Sequence, residues 1–458
     1  MKEKMDMLHG SIWNKIPRYA LPVAATGILG QLFNASDLAI VGNFTGADST
    51  VAVAAVGANS PVIGLILNFF IGIALGANIV IAHAVGRGDE KTIRKAVNTS
   101  VLMALAGGIA IAVAGEFCIE ALLRLLNIPE DVFPYALLYI KIYLLGMPAI
   151  LLYNFEAAIF RSIGDTKTPL LVLAVSGLLN VALNLFFVIV LDMTVEGVAI
   201  ATAVSNIVSA AILFVLLIKT DRSIHIDIRD IHFDKECFTK IIKIGLPAGL
   251  QSAVFAIANI VIQAAINSLG TVVIAASSAA FNIEIFAYYV LNSFSQACTT
   301  FVGQNYGAGQ IKRCRKILLL CILEDALASA TVIILVILSG RLLLSIFSSN
   351  PQVIEIGYTR LLIILSAYTF SMLYENMSGY LRGFGDSLIP AVLTVIGVCA
   401  VRITWIYTVF QAYRTFTSIL IAYPVSLSAT ALLIFTALMI YRPSRRYAAA
   451  NETGSGEI

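Results

Sequence analysis

The chain has 458 residues, of which 59% are hydrophobic and 12% charged, with a net charge of +3 and a mean hydropathy of +0.90. A soluble domain this apolar lacks the polar groups to cover its surface, and so small a net charge calls for no nucleic-acid partner. Stretches of about twenty apolar residues are long enough to cross ~30 Å of hydrocarbon as helices, and the short alternating strands of a barrel are absent.

Twelve spans can be read, at 16–42, 51–83, 96–121, 133–160, 168–191, 195–219, 240–267, 272–303, 315–340, 352–381, 388–411 and 416–441. The longest are expected to tilt or to protrude into the cytosol. Ahead of the first, Met1 to Arg18 has no cleavage site after an apolar run, so no removable signal peptide is expected. An ionisable side chain near the bilayer centre costs about 2.5–3.5 kcal/mol on insertion scales, so each one inside a span invites a functional explanation.

Span 1 carries Gln31, Asn34 and Asp37 at three-residue spacing on one helical face. Pro22, earlier in the span, removes a backbone donor and gives the helix a hinge. A carboxylate with amide neighbours beside a bendable helix can bind H+ or Na+ and report occupancy as a change of shape; a snorkelling acid at the outer interface is the alternative. In span 4, Glu156 follows Tyr153 and stands five residues before Arg161, roughly 7.5 Å inside the cytosolic end. Asn180 and Asn184 share a face of span 5, and Thr202 of span 6 is placed to join them, as cation ligands or as interhelical hydrogen bonds.

Span 8 brings Glu284, span 10 brings Tyr374 and Glu375, and span 11 brings Arg402. Acids and one Arg inside lipid can pair only by facing one another or water, so a central wet cavity of net negative character is expected. A Glu–Arg402 clamp holding the second lobe together is the alternative. Glu324 and Asp325 on span 9 are expected to reach back to Arg315 and Lys316. Since the cavity acids outnumber Arg402, the expected substrate is an amphipathic organic cation entering from the cytosol or inner leaflet. Tyr153, Phe286, Tyr288 and Tyr374 would add cation–π contacts of about 0.5–2 kcal/mol each.

Arg161-Ser-Ile-Gly164-Asp165-Thr-Lys-Thr-Pro169 returns 221 residues later as Arg382-Gly-Phe-Gly385-Asp386-Ser-Leu-Ile-Pro390. The same shift relates Gly86-Arg-Gly88 to Gly307-Ala-Gly309, Arg94-Lys95 to Arg315-Lys316 and Tyr153 to Tyr374. The implied fold class is an all-α polytopic membrane protein, with twelve transmembrane helices in two pseudo-symmetric six-helix lobes. The lobes span 1–219 and 240–441, with a cytosolic linker at 220–239 and a cytosolic tail at 442–458. Of the 30 Lys and Arg residues, 24 fall on proposed inner segments and five (Arg124, Lys141, Arg341, Arg360 and Arg414) on outer ones. That asymmetry places both termini and the linker in the cytosol of a multi-pass protein of the cell's inner (plasma) membrane.

The six cysteines include no CxxC pair and lie mostly in or beside apolar spans, as packing thiols do. Gly383-Phe-Gly385-Asp386 has the GxGD spacing of intramembrane aspartyl proteases. It repeats as Ser162-Ile-Gly164-Asp165 at an inner loop before Pro, where Gly-Asp makes a turn and caps the next helix. No paired nucleophile and base and no metal set are apparent, so neither an enzyme nor a cofactor is expected.

Four motifs together resemble the multidrug and toxic compound extrusion (MATE) family of secondary transporters over nearly the whole chain. They are Asp37-Leu-Ala-Ile-Val-Gly42, Gly245-Leu-Pro247-Ala-Gly-Leu-Gln251, Val302-Gly-Gln-Asn-Tyr-Gly307-Ala-Gly309 and Leu381-Arg382-Gly-Phe-Gly-Asp386. The resemblance implies two six-helix lobes, a cleft open to one side, and an antiporter that exports amphipathic organic cations or drugs in exchange for H+ or Na+. Asp37 matches the family's first-helix acid and Asn180 its fifth-helix Asn, with Na+ at Asp37 the one metal ion to be considered. The chain departs from many proton-coupled members, which carry Asp where it has Asn184. Phe255 and Ser371 fall near positions where members carry acids. A lipid-linked saccharide flippase of the same superfamily is the alternative, and would need more spans or a cationic cleft for pyrophosphate. A monomer in the bilayer is expected.

Overall fold

The computed structural model describes residues 5–46, 49–126, 128–444 and 446. Lys2, Lys4, Asn127, Arg445 and the tail beyond Arg446 lie outside the described residues. The chain runs through α1 (Lys15–Phe44), α2 (Ser49–Arg87), α3 (Glu90–Leu125), α4 (Phe133–Leu145), α5 (Met147–Ser162), α6 (Lys167–Leu185), α7 (Val195–Lys219) and α8 (Lys235–Asn267). It continues through α9 (Thr271–Gly307), α10 (Ile311–Ser345), α11 (Pro351–Gly383), α12 (Leu388–Thr394), α13 (Val401–Tyr407), α14 (Val409–Ala412) and α15 (Phe416–Tyr441). π turns at Phe186–Val190 and Val395–Ala400 extend α6 and join α12 to α13. No strand occurs among the described residues.

Among these, eleven helices are long and apolar enough to cross a membrane, and α4 with α5, bent by 50°, makes a twelfth as one broken span. The break has a local cause. Pro148 offers no N–H to the Leu144 carbonyl and its ring would crowd that carbonyl in a straight helix, which favours a bend at this point. The Gly146 N–H turns instead to the Tyr143 carbonyl at 3.0 Å. The protein is an all-α polytopic membrane protein of two similarly built lobes.

The duplication is visible in the backbone. Gly88 and Gly309 have φ of +70° and +71°, and Gly164 and Gly385 have +86° and +92°. Any residue with a Cβ pays roughly 1–2 kcal/mol in this region, which is why both copies keep glycine there. Gly164 donates to the Arg161 carbonyl at 2.9 Å and Asp165 to that of Phe160 at 3.0 Å. Gly385 and Asp386 repeat the closure onto Arg382 at 2.8 Å and Leu381 at 3.1 Å. Asp165 then accepts the Thr168 N–H at 3.0 Å and starts α6. The Gly-Asp motif is a helix stop followed by a new helix.

Two compact units can be distinguished. The first comprises the described residues of Ala25–Ile81 and Asp89–Ile242, the second those of Met1–Ala24, Ala82–Gly88 and Lys243–Ile458. In the second, the N-terminal segment buries Met7, Ile12, Ile16 and Tyr19 among Phe294, Phe301 and Tyr380. The Tyr19 hydroxyl meets that of Thr300 at 2.8 Å, and Asn305 Nδ2 donates to the Met7 carbonyl at 3.1 Å. Also within it, the end of α2 crosses α9 with no room for side chains. A methyl on Gly86 would stand 2.0 Å from the Gln304 carbonyl oxygen, and one on Gly307 would stand 2.2 Å from that of His83. Residues 83 and 304 are themselves related by the 221-residue shift, so the contact is reciprocal. The His83 ring bonds to the Gly383 carbonyl at 2.8 Å.

In the first unit the linker is fastened to the start of α3. Asp234 caps α8 through the Cys237 N–H at 2.9 Å, receives Lys95 Nζ at 2.7 Å, and donates its own N–H to Thr99 Oγ1 at 3.0 Å. The Lys95 hydrogen bond holds the Asp234 carboxyl below its ordinary value of 3.8, at about 2. With a depressed folded value, the clasp contributes in full above about pH 4 and is lost as pH falls toward 2. Pepsin cleavage of the linker is expected to begin only below that window's upper end in the wild type. In Lys95→Met it is expected at the upper end already. Equal cleavage of the two proteins throughout would show that the clasp does not hold the linker.

Candidate cation site

Asp37 lies on α1 in the first unit, 7% exposed. Its neighbours come from two other helices. Asn184 Nδ2 on α6 donates to Asp37 Oδ1 at 2.6 Å, and Thr202 Oγ1 on α7 reaches Oδ2 at 3.4 Å. The same Asn184 nitrogen bonds to Asn180 Oδ1 at 3.2 Å, and Asn180 Nδ2 reaches Thr202 Oγ1 at 3.4 Å. The helical period explains the grouping on α6, since residues four apart stack on one face. Asn184 Oδ1 is buried and has no hydrogen-bond partner. The result is a carboxylate held by neutral donors, with a spare carbonyl oxygen beside it and no basic side chain bonded to it. Tyr139 and Tyr143 of α4, stacked with ring centroids 6.1 Å apart, lie within electrostatic reach of Asp37. Their four-residue spacing was the signal available in the sequence.

Asn34 does not join this set. It sits one turn nearer the start of α1, is exposed, and makes no hydrogen bond to Asp37. Three residues turn a helix by about 300°, enough to carry Asn34 off the buried line that Asp37 occupies.

The expected cavity residues have varied surroundings. In the first unit, Glu156 is fully buried with neither carboxyl oxygen hydrogen-bonded, and the Tyr153 hydroxyl donates to the Pro169 carbonyl at 3.2 Å. In the second, Glu284 is not an open acid. Arg360 grips it with Nε to Oε2 at 3.1 Å and Nη2 to Oε1 at 2.6 Å, while Nη1 donates to Ser277 Oγ at 2.6 Å. Both side chains are 4% exposed. Arg360, not Arg402, is the partner of Glu284, so the Glu–Arg402 clamp considered as the alternative does not form with Glu284. Arg360 is nine residues into α11, roughly 13.5 Å along it, and its planar fork matches a carboxylate bidentately. Arg402 lies over the rings of Tyr423 at 4.2 Å and Phe255 at 5.4 Å, with Nε on Ser426 Oγ at 3.0 Å. Glu375 and Tyr374 are buried on α11. Asp325 and Glu324 do not reach back to Arg315, whose Nε donates instead to Ser444 Oγ at 2.6 Å. A cavity of about 390 Å³ in the first unit is lined by apolar side chains including Phe70, Leu102, Met103, Phe155 and Phe233. None of the expected cavity residues lines it.

The chain matches the MatE family model over residues 22–186 and 247–408. It is 26% identical over 435 residues to the probable multidrug resistance protein YoeA of Bacillus subtilis strain 168, covering 93% of each chain. It is 25% identical over 409 residues to the probable multidrug resistance protein NorM of Thermotoga maritima, covering 88% of this chain and 87% of that one. Its fold matches a solved outward-facing multidrug resistance MATE transporter of the MOP superfamily with a TM-score of 0.88. That match is at 22% identity and covers 97% and 99% of the two chains.

Proposed function

The chain belongs to the MATE family of transporters, and on that premise we propose that it is a secondary active antiporter exporting amphipathic organic cations or drugs in exchange for H+ or Na+ at Asp37. One observation carries the reading: a 7%-exposed carboxylate bonded only to neutral donors from two other helices. Such a charge is costly among apolar helices, and an arriving cation relieves that cost. Asn180, Asn184 and Thr202 orient the carboxylate and share the ion, while Asn34 is left outside. Pro22, inside α1, is the hinge through which occupancy becomes shape. Antiport then needs the cation-bound form to hold the drug less well, and linkage makes that coupling reciprocal.

Relatives named as multidrug resistance proteins support a drug-like substrate. With Glu284 neutralised by Arg360, the candidates for contact with an organic cation are Glu156 and Tyr153 in the first unit and, separately, Glu375 and Tyr374 in the second, the unit that also holds Arg402. The flippase alternative would need free basic groups for pyrophosphate, whereas the Arg360 guanidinium is already taken. Inside-out vesicles given a higher luminal H+ or Na+, each separately, are expected to accumulate a cationic dye under one of the two gradients. Transport of anionic drugs with no response to cationic dyes would sink the substrate assignment.

The orientation proposed has both termini and the 220–239 linker in the cytosol, in the plasma membrane, with lobes at 1–219 and 240–441 in a monomer. In a background lacking Cys118, an impermeant thiol reagent outside the cell is expected to label Met193→Cys but not Asp165→Cys, Lys235→Cys or Asp386→Cys. Outside labelling at position 235 would invert the topology. Asn127, the other outer position on this reading, is outside the described residues.

A further inference from the structure

We propose that the second unit carries its own monovalent-cation site, formed by Asp325 and Ser329 of α10 with Asn376 of α11. Asp325 and Asn376 are both fully buried. Asn376 Nδ2 donates to Asp325 Oδ2 at 2.6 Å and to the Met372 carbonyl at 3.0 Å, which fixes the amide's orientation. Ser329 Oγ donates to Asp325 Oδ1 at 2.7 Å. The remaining oxygen, Asn376 Oδ1, is buried without a partner on the same amide whose nitrogen is bonded to the carboxylate. Next along α10, Glu324 is 5% exposed and neither of its carboxyl oxygens has a partner.

This is the chemistry found at Asp37, drawn from different helices. In each unit an asparagine donates to a buried aspartate at 2.6 Å, a hydroxyl donates to the other carboxylate oxygen, and the asparagine's own carbonyl is unused. Duplication did not supply the second set. The positions 221 residues beyond Asp37, Asn184 and Thr202 are Ala258, Trp405 and Tyr423. The same ligand chemistry has been built twice on unrelated positions.

The surroundings call for a cation. The groups whose charge reaches Asp325 or its neighbour Cys321 are acids and thiols: Glu324 beside it, Cys321 one turn earlier, Glu375 from α11 and Cys298 from α9. No Lys or Arg bonds to Asp325 among the described residues. A buried carboxylate with two neutral donors and a spare carbonyl oxygen presents only hard oxygen atoms, the chemistry that H+ and Na+ share. Asp325 stands fourteen residues into α10, roughly 21 Å from its start, so the site is well inside the span.

The test uses the purified full-length protein and does not depend on transport, so it is separable from the antiport reading. Two quantities are measured: radioactive Na+ bound per chain at saturation, and, in Na+-free buffer, the infrared band of protonated carboxyl groups that rises and falls reversibly as pH is stepped. Asp325→Asn is expected to remove either one bound Na+ or one reversible carboxyl, and the arm that changes identifies the cation. Asp37→Asn removes a second in the same arm, and the double variant removes both. If Asp325→Asn alters neither arm, the site does not exist. Ser329→Ala keeps the charge and guards against misfolding. It is expected to change the affinity of one cation equivalent about tenfold, the effect of losing one hydrogen bond to a charged group: weaker for Na+, which loses a hydroxyl ligand, and tighter for H+, because the charged carboxylate loses a donor. Unchanged affinity in Ser329→Ala also overturns the proposal.

Discussion

Asp37→Asn is expected to abolish gradient-driven efflux while leaving a folded protein that still binds a cationic dye. The amide keeps the size of the side chain and an acceptor for Asn184 Nδ2, which now lies 2.6 Å from the carboxylate. What it removes is the charge that a cation can neutralise. Moving a two-state carrier from 1:99 to 99:1 takes a differential affinity of about 5.5 kcal/mol, and a neutral group cannot draw that difference from cation binding. In vesicles carrying the coupling gradient, dye export should fall to the rate seen with no gradient at all. Export near the wild-type rate would move the coupling site elsewhere, with Asp325 and Glu375 the next carboxylates to substitute.

The second large effect is structural. Arg360→Met leaves Glu284 buried at 4% exposure with its charge uncompensated, and should cost about 3–5 kcal/mol of stability. Glu284→Gln strands the guanidinium in the same way. The double variant Glu284→Gln/Arg360→Met should recover most of the loss, because two neutral groups of similar volume need no counter-charge. Thermal denaturation of the four proteins in one detergent completes the cycle. Additive losses in the double variant would mean that the pair does not act as a unit.

The spans, the duplicated turns and the first polar cluster are legible for different reasons. Twenty apolar residues have one stable way to cross a bilayer, so composition is enough to find α2, α9 or α15. The Gly164-Asp165 and Gly385-Asp386 turns show because a positive φ demands glycine, and the demand is written twice. Asn180 and Asn184 fall on one face by helical period alone. Arg360 is another matter. A lone arginine nine residues into a span reads as reaching the interface, since the cost of burying it depends on whether Glu284 stands opposite, and no spacing within α11 encodes a partner on α9. Asp325 and Asn376 are hidden for the same reason: their separation of 51 residues reflects a loop and two helix lengths, not a period. Helical period reveals what shares a face, and only packing reveals what a face meets.

The crossing of α2 and α9 has a consequence for how such a chain came to be. Gly86 lies against the backbone of residue 304 and Gly307 against that of residue 83, each the other's counterpart across the duplication. A contact in which site i meets site j while j meets i is the signature of a two-fold interface between identical subunits. A half-length ancestor could close on a second copy of itself through the same pair of glycines before any fusion joined them. The backbone-to-backbone contact needs glycine on both sides and has it at 86 and 307, whereas the residues whose carbonyls it meets need no particular side chain and are His83 and Gln304.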